Sequence, residues 1–161
     1  MSRFDYQENE EAESSFRSIA QLARFVITST LDTKLKKKAL SKVQWMATEI
    51  HGKYKCRYAS EAAQAQIDQG NFKDLQHEHV YRKKDVTKVL LEMRKLTEIL
   101  EVIQKLRGCV VTVAEHRRLT AADSPETKNG WARYIKADIK VWDRKIRRRK
   151  SLYPGSVTKS R

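Results

Sequence analysis

The predicted fold depends most on residues 85–119, which read DVTKVLLEMRKLTEILEVIQKLRGCVVTVAEHRRL. Asp85 offers an N-cap and Gly108 a stop for one long helix over residues 86–107. Its apolar side chains recur in steps of four and three, as on one helix face; they are Val89, Met93, Leu96, Leu100 and Ile103. In a chain of this size such a seam favours a central core helix, and a homodimer contact through helix 86–107 is the alternative.

The residues after this helix predict a change of structure. CVVTV, residues 109–113, is short, apolar and β-branched, which is typical of a buried strand, and AEHRRL returns to a helical pattern. The 161 residues include only five Gly and two Pro, which disfavours a turn-rich sandwich or barrel. We therefore expect a mainly α fold of the α+β class: a single compact helical domain with a long central helix and one or two short strands.

The other segments set the limits of this domain. Helical patterns over residues 16–31, 33–50 and 60–70 come first, with Asp32 and Ser60 as N-caps. Residues 131–150 predict a last helix with one apolar and one basic stripe, although Ile139 and Val141 also alternate as in a strand. We expect an acidic N-terminal arm at 1–15, a single mostly helical domain at 16–150, and a flexible basic C-terminal tail at 151–161.

The charge balance predicts a polyanionic partner. The net charge is +14 and the isoelectric point is about 9.9. Nucleic acid is preferred because lysine and arginine release counterions from phosphates, and an acidic protein surface is the alternative. Cys56 and Cys109 lack the spacing of a zinc site or a disulfide framework. No window is apolar enough to span a membrane and no signal-like segment begins the chain, so we expect a cytoplasmic protein without a membrane partner.

The densest basic segment is RKIRRRK, residues 144–150, which favours binding through the C-terminal helix and tail. The predicted nucleic-acid-binding side chains are Lys83, Lys84, Arg117, Arg118, Lys136, Lys140, Arg144, Lys145, Arg147, Arg148, Arg149 and Lys150. Four further lysines occupy the first turns of the second predicted helix, at positions 34, 36, 37 and 38, where the helix dipole disfavours cations. They are a weaker candidate for binding anions, and a solvated helix face is the commoner explanation.

Two short segments carry the most specific chemistry: EHV at residues 78–80 and GCVVTVAEHRRL at 108–119. Together they resemble the ββα-metal core of the HNH nucleases. The resemblance implies that Glu78 is a metal ligand, His79 the general base and His116 the ligand on the helix, around Mg²⁺ or Mn²⁺. The alternative is that these histidines are surface residues of a polar loop. The nuclease hypothesis requires that His79 and His116 converge.

Three functions fit these patterns. The first is a non-enzymatic nucleic-acid-binding helical protein. The second is a small metal-dependent HNH-like nuclease that cleaves phosphodiesters, and the third is a phage or plasmid protein that binds and inhibits another protein through electrostatic docking. The sequence contains no glycine-rich phosphate loop, no G-x-S-x-G and no H-E-x-x-H motif.

Overall fold

The computed structural model describes residues 10–127 and 130–146. Within these ranges the chain forms seven helices and four strands. The helices are α1 Ala12–Thr28, α2 Thr33–Thr48, α3 Glu61–Asp68, α4 Lys83–Glu92, α5 Leu96–Lys105, α6 Val113–Ala121 and α7 Ala132–Lys136. The strands are β1 Tyr58–Ser60, β2 Leu75–His79, β3 Gly108–Thr112 and β4 Val141–Asp143. The predicted α+β class and the predominance of helix are confirmed.

The four strands form one small mixed sheet in the order β2-β3-β1-β4. β3 pairs antiparallel with β2 and parallel with β1, and β4 pairs antiparallel with β1. The predicted strand CVVTV lies mostly in β3, whose five residues are all buried. The sequence predicted one or two strands; β1 and β4 have three residues each, which is too short for an alternating pattern to be recognised.

Helices cover both faces of the sheet, and four more helices pack beside it. α3 covers one face through Ala63 and Ile67, and α6 covers the opposite face through Leu119, next to Tyr134 of α7. α1, α2, α4 and α5 bury a separate helical core. This arrangement places β2 between α2 on one side of the sheet and α6 on the other, which positions the candidate site.

The prediction of one long helix over residues 86–107 is wrong, because two helices, α4 and α5, occupy this segment. The backbone is extended at Met93 and again at Lys95, with ψ values of 151° and 133°. Arg94 Nη1 donates hydrogen bonds to the carbonyl oxygens of Leu91 and Met93, at 2.8 and 2.7 Å, and so satisfies backbone groups that the break exposes. The helix also begins at Lys83, two residues before the predicted cap Asp85.

The break changes which side chains of this segment face the core. Leu90, Ile99 and Ile103 are fully buried in the helical core, whereas Val89 of the predicted seam is 46% exposed. Two shorter helices can each tilt to bury their own apolar face, which one straight helix cannot do against the same neighbours. The burial favours the core interpretation of this segment over the dimer seam.

The predicted last helix over residues 131–150 is also wrong. Within the described residues 131–146 only α7 is helical, and after a turn through Asp138, with φ of 51°, the chain forms β4. The alternation of Ile139 and Val141, both buried against the sheet, was the correct signal. Residues 147–150, the tail at 151–161 and residues 1–9 of the acidic arm lie outside the described residues, and α1 begins at Ala12, within the predicted arm.

Candidate functional site

The EHV motif lies at the end of β2, where alternation sends neighbouring side chains to opposite faces of the sheet. Burial along β2 alternates, with His77 and His79 buried and Glu78 between them partly exposed. Glu78 faces α6, where it contacts His116. His79 faces α2, where its ring lies 4.4 Å from that of Trp45 in an edge-on arrangement. The structure therefore brings Glu78 and His116 together and keeps His79 apart from them.

A polar cluster of three side chains forms on the α6 side of the sheet. Glu78 Oε2 lies 2.6 Å from His116 Nδ1, and Arg133 Nη2 donates to Glu78 Oε1, also at 2.6 Å. The same guanidinium nitrogen donates to the backbone carbonyl of His79. Both carboxylate oxygens of Glu78 are thus engaged, one by an imidazole and one by a guanidinium. We call these three residues the Glu–His–Arg cluster.

Exposure increases steadily across this cluster. The side chain of Arg133 is 8% exposed, that of Glu78 is 12% exposed and that of His116 is 41% exposed. Burial is the largest single influence on Arg133 and opposes its charge, but the charge and hydrogen bond of Glu78, with smaller contributions from Tyr134 and Asp123, together raise the pKa of the guanidinium above its ordinary value. The buried end of the cluster is therefore an ion pair, and the imidazole is the member that solvent reaches.

Local sequence explains why His116 lies beside Glu78. β3 runs directly into α6, and Thr112 caps that helix through a hydrogen bond from the backbone N–H of Glu115 at 3.2 Å. The Glu115 side chain accepts from the Thr112 backbone N–H at 2.9 Å, which completes a capping box. The first turn of α6 is thereby fixed to the end of β3. Glu78 pairs with Cys109 across the two strands, so the helix starts over the β2–β3 pair.

The opposite side of β2 holds a second, buried group of histidines. His77 Nε2 lies 3.0 Å from Thr48 Oγ1, and His77 Nδ1 lies 3.3 Å from Cys56 Sγ. Burial, with smaller contributions from nearby positive charges, lowers the pKa of His77 from 6.5 to about 4 and that of His79 to about 3. Both rings are therefore neutral at physiological pH. A buried imidazole this hard to protonate is poorly suited to the role of general base that the resemblance gives to His79.

The backbone of β3 packs closely against these histidines. A Cβ atom added at Gly108 would lie 2.6 Å from His77 Cε1 and 3.0 Å from Cys56 Sγ. Glycine is therefore required at this position by the approach of the His77 ring. The Cys56 thiol is buried, and its burial raises its pKa to about 12, so it is a packing group rather than a reactive thiolate.

The predicted basic residues are distributed over several elements. Lys83 and Lys84 begin α4, and the Lys83 ammonium lies 4.8 Å from the centre of the Trp45 ring. Arg117 is exposed on α6. Several others contact the protein itself: Arg118 donates to the Ala137 carbonyl, Lys136 to Ser124, Lys140 pairs with Glu61, and Arg144 donates to the carbonyls of Tyr54 and Cys56. Lys145 is exposed, and Arg147, Arg148, Arg149 and Lys150 lie outside the described residues.

Sequence reasoning missed two residues that the structure brings into these sites. Arg133 joins Glu78 across 55 positions of sequence, and Trp45 covers His79 from α2. The nearest sequence signal was that Arg133 lies two residues after Trp131 in an amphipathic segment. This position does not indicate a carboxylate partner. Contacts at such separations are fixed by tertiary packing, so local periodicity could not have found them.

Among residues 10–127 and 130–146, no group of three or more His, Cys, Asp or Glu side chains could hold a metal ion. The two metal ligands that the resemblance implies, Glu78 and His116, do lie together, but His79, its implied general base, faces the other side of the sheet. No helix in the described part of the chain is long and apolar enough to cross a bilayer. No family model, curated protein or solved structure matches the chain.

Proposed function

We propose that the protein binds nucleic acid through a basic surface formed by α2 and α4. The surface is defined by four exposed lysines, one half-buried lysine and one half-buried tryptophan. They are Lys34, Lys38 and half-buried Trp45 on α2, and half-buried Lys83 with Lys84 and Lys88 on α4. We call it the α2–α4 basic face. The observation that carries the proposal is the absence of compensating charge: in the described residues, no carboxylate oxygen lies within 4.0 Å of any of these lysines.

The two helices form one surface because they are joined directly. Gln44 Nε2 donates to Thr87 Oγ1 at 2.8 Å and to the Lys83 carbonyl at 3.2 Å. On α2, Lys34 and Lys38 precede Trp45 by eleven and seven residues, which places all three on one stripe of the helix. On α4, Lys84 and Lys88 are one turn apart. The two helices are therefore adjacent, and the Lys83 ammonium of α4 lies 4.8 Å from the centre of the Trp45 ring of α2.

This accumulation of cations is unfavourable in the isolated protein. α2 has no acidic residue in its first turn and carries lysines there, opposite to what the helix dipole favours. Like charges one turn apart on the same helix also repel each other. A polyphosphate backbone would relieve both effects and would release counterions on binding. These lysines therefore do not stabilise the isolated protein, and binding of a polyanion is the better explanation for their grouping.

Trp45 gives the basic face an aromatic element of fixed orientation. Its ring is held by His79 on one edge and lies 5.0 Å from the His77 ring, while the Lys83 ammonium sits near its face. Aromatic rings beside cations are a common feature of surfaces that bind single-stranded nucleic acid, where bases stack without sequence readout. We therefore propose single-stranded RNA or DNA as the ligand class, bound with little sequence preference.

The proposal moves the principal binding site from the C-terminal segment to α2 and α4. Of the residues predicted from the sequence, Lys83 and Lys84 belong to the α2–α4 basic face. Lys140 and Arg144 instead contact Glu61 and backbone carbonyls, which leaves them less available to phosphates. The basic segment at 147–150 stays a separate prediction.

The test measures affinity for short fluorescein-labelled single-stranded RNA and DNA by fluorescence anisotropy at increasing KCl concentrations. A variant with Lys34, Lys38, Lys84 and Lys88 all changed to Ala is compared with a control in which Lys53, Lys73, Lys95 and Lys105, exposed elsewhere, are changed to Ala. If each of these first four lysines contacts one phosphate, the magnitude of the slope of log K against log salt falls by about 3 in the first variant.

The control should keep a slope near that of the native protein, because it removes the same charge from other surfaces. Equal losses in both variants would mean that only net charge matters, and no binding by the native protein would overturn the proposal. A third protein lacking residues 147–161 measures the contribution of the basic tail. The deletion should begin at 147 rather than 144, because Arg144 supports the backbone around Tyr54 and Cys56.

A further inference from the structure

We propose that the Glu–His–Arg cluster is an acid–base site that cleaves RNA without a metal ion, with His116 as the catalytic residue. This inference rests on the proposed nucleic-acid binding and adds a reaction to it. It differs from the metal site implied by the HNH resemblance, because it uses Arg133 in place of His79 and gives Glu78 and His116 other roles. Glu78 and Arg133 act as positioning residues.

The hydrogen bond from His116 to Glu78 fixes the state of the imidazole. With the carboxylate 2.6 Å from Nδ1, that nitrogen carries the proton and donates it to Glu78. The lone pair of the neutral ring then lies on Nε2, which makes no hydrogen bond within the described residues. A ring that is 41% exposed and held by a carboxylate in this way can accept a proton from a substrate.

Arg133 determines that His116, and not Glu78, is the base. Its guanidinium is buried and bonded both to Glu78 Oε1 and to the carbonyl of His79, so it is anchored to the end of β2. The carboxylate is thereby held in a fixed orientation opposite a positive charge. As the imidazole gains a proton, this fixed negative charge stabilises the imidazolium that forms.

The surroundings of His116 favour a phosphodiester polymer as substrate. Arg117 follows it directly and is exposed, with no carboxylate within 4.0 Å in the described part of the chain. Residues 80–82 connect β2 to α4, and Arg82 at the start of α4 contacts Asp123 beyond α6 at 3.4 Å. The cluster and the α2–α4 basic face lie on opposite sides of the end of β2, which is an edge strand of the sheet. A strand bound on the lysines would cross this edge to reach His116.

RNA is the substrate class because it carries its own nucleophile. His116 Nε2 takes the proton of a ribose 2′-hydroxyl, a bond forms between that oxygen and the adjacent phosphorus, and the bond from phosphorus to the 5′-oxygen breaks. The 5′-oxygen gains a proton from water, and the imidazolium returns its proton to solvent. The products are a 2′,3′-cyclic phosphate and a 5′-hydroxyl. The neighbouring hydroxyl gives the reaction the advantage of an intramolecular attack, which DNA lacks.

The experiment incubates the full-length protein with end-labelled single-stranded RNA in excess EDTA and analyses the products by gel and mass spectrometry. Parallel reactions use DNA of the same sequence and RNA methylated at every 2′-oxygen. The native protein should cleave only unmodified RNA and leave 2′,3′-cyclic phosphate ends. His116→Gln should reduce the rate by about 100-fold or more, whereas His51→Gln, a matched control elsewhere, should cleave as the native protein does.

Binding is measured on the same proteins, so that two failures can be told apart. RNA binding without cleavage overturns this inference and leaves the proposed function in place, and absence of binding overturns both. Cleavage that needs Mg²⁺, that also acts on DNA, or that survives His116→Gln also overturns the inference. The His116→Gln variant should bind RNA with an affinity within about twofold of native, because the substitution leaves the lysines of the α2–α4 basic face unchanged.

The positioning role of Glu78 has a readout that a purely structural role would not change. In the native protein, ¹⁵N NMR should find the His116 proton on Nδ1. In Glu78→Gln the ring should shift toward a mixture with the Nε2–H form, and the cleavage rate should fall with little change in RNA affinity. An unchanged tautomer together with an unchanged rate would remove Glu78 from the proposed site. Arg133→Lys should recover part of the rate that Arg133→Met loses.

Discussion

His79 and His116 lie on opposite sides of the same strand pair and have opposite environments. His79 is 8% exposed, packs against Trp45 and is neutral because burial lowers its pKa to about 3. The side chain of His116 is 41% exposed and shares the Glu78 carboxylate with Arg133. The difference originates in β2, because neighbouring residues of a strand face opposite sides of a sheet. His79 faces α2, whereas Glu78, one position earlier, faces α6 and contacts His116. Two histidines that look equivalent in sequence thus become a buried packing group and an imidazole that solvent reaches.

The largest expected effect is a pH dependence of the free energy of unfolding, which arises from the buried histidines His77 and His79. The folded-state pKa values of His77 and His79 lie below 6.5, so the unfolded chain binds more protons below that pH. The free energy of unfolding should be unaffected by these groups above about pH 6.5 and should fall as the pH decreases toward 4. At about 1.4 kcal/mol per pKa unit, the two histidines together should cost about 4 kcal/mol between pH 7 and pH 5.

Urea unfolding followed by circular dichroism at a series of pH values measures this dependence. His79→Phe keeps an aromatic ring against Trp45 and removes one titrating group, so about half of the dependence should disappear. A free energy of unfolding that stays constant between pH 7 and pH 5 in the native protein would mean that both rings are solvated enough to be protonated in place.

The second prediction concerns the carboxylate that holds His116. Arg133→Met should lower the free energy of unfolding by about 3 kcal/mol, because it leaves the Glu78 carboxylate, which is 12% exposed, without its guanidinium partner. Arg117→Met, which changes an exposed arginine next to His116, should alter stability by less than about 0.5 kcal/mol. Adding Glu78→Gln to Arg133→Met should restore part of the loss. Similar values for both arginine variants would contradict the ion pair described for Arg133.

A third substitution tests how tightly the buried histidine is held. Gly108→Ala should destabilise the protein by about 2 kcal/mol, because the new methyl group would meet the His77 ring, which contacts with Thr48 and Cys56 hold in place. In a His77→Ala background the same glycine substitution should cost much less, and chemical denaturation of the four proteins of this cycle measures the coupling. Additive effects would show that the ring can move aside.

The smallest effect on the free energy of unfolding is expected from a substitution of His116, on the α6 side of the sheet. His116→Gln should change the free energy of unfolding by no more than about 1 kcal/mol, since the His116 side chain is 41% exposed and Glu78 keeps its guanidinium partner Arg133. A loss comparable to that of Arg133→Met would give His116 a structural role and would complicate the interpretation of the cleavage assay. Thermal denaturation of native and variant proteins under the assay conditions provides the measurement.

Local signals in the sequence predicted the elements whose ends are set by neighbouring residues. Asp32 accepts a hydrogen bond from the Leu35 N–H and begins α2, and Ser60 accepts one from Ala63 and begins α3, as predicted. The strand in CVVTV and the helix after it were also correct. The predictions of one long helix over residues 86–107 and of a last helix over residues 131–150 failed. The apolar spacing of each segment fits one continuous helix, whereas its packing requires a break.

The sequence by itself determined the α+β class, the excess of positive charge, most helices of the first half and the short path that carries β3 into α6. Only the tertiary structure decided where α4 and α5 separate, that β4 pairs with β1 about 80 residues earlier, and which histidine meets Glu78. These outcomes depend on contacts between distant residues. Periodicity reports which face of an element is apolar, but the partner on that face is chosen by the packing of the whole domain.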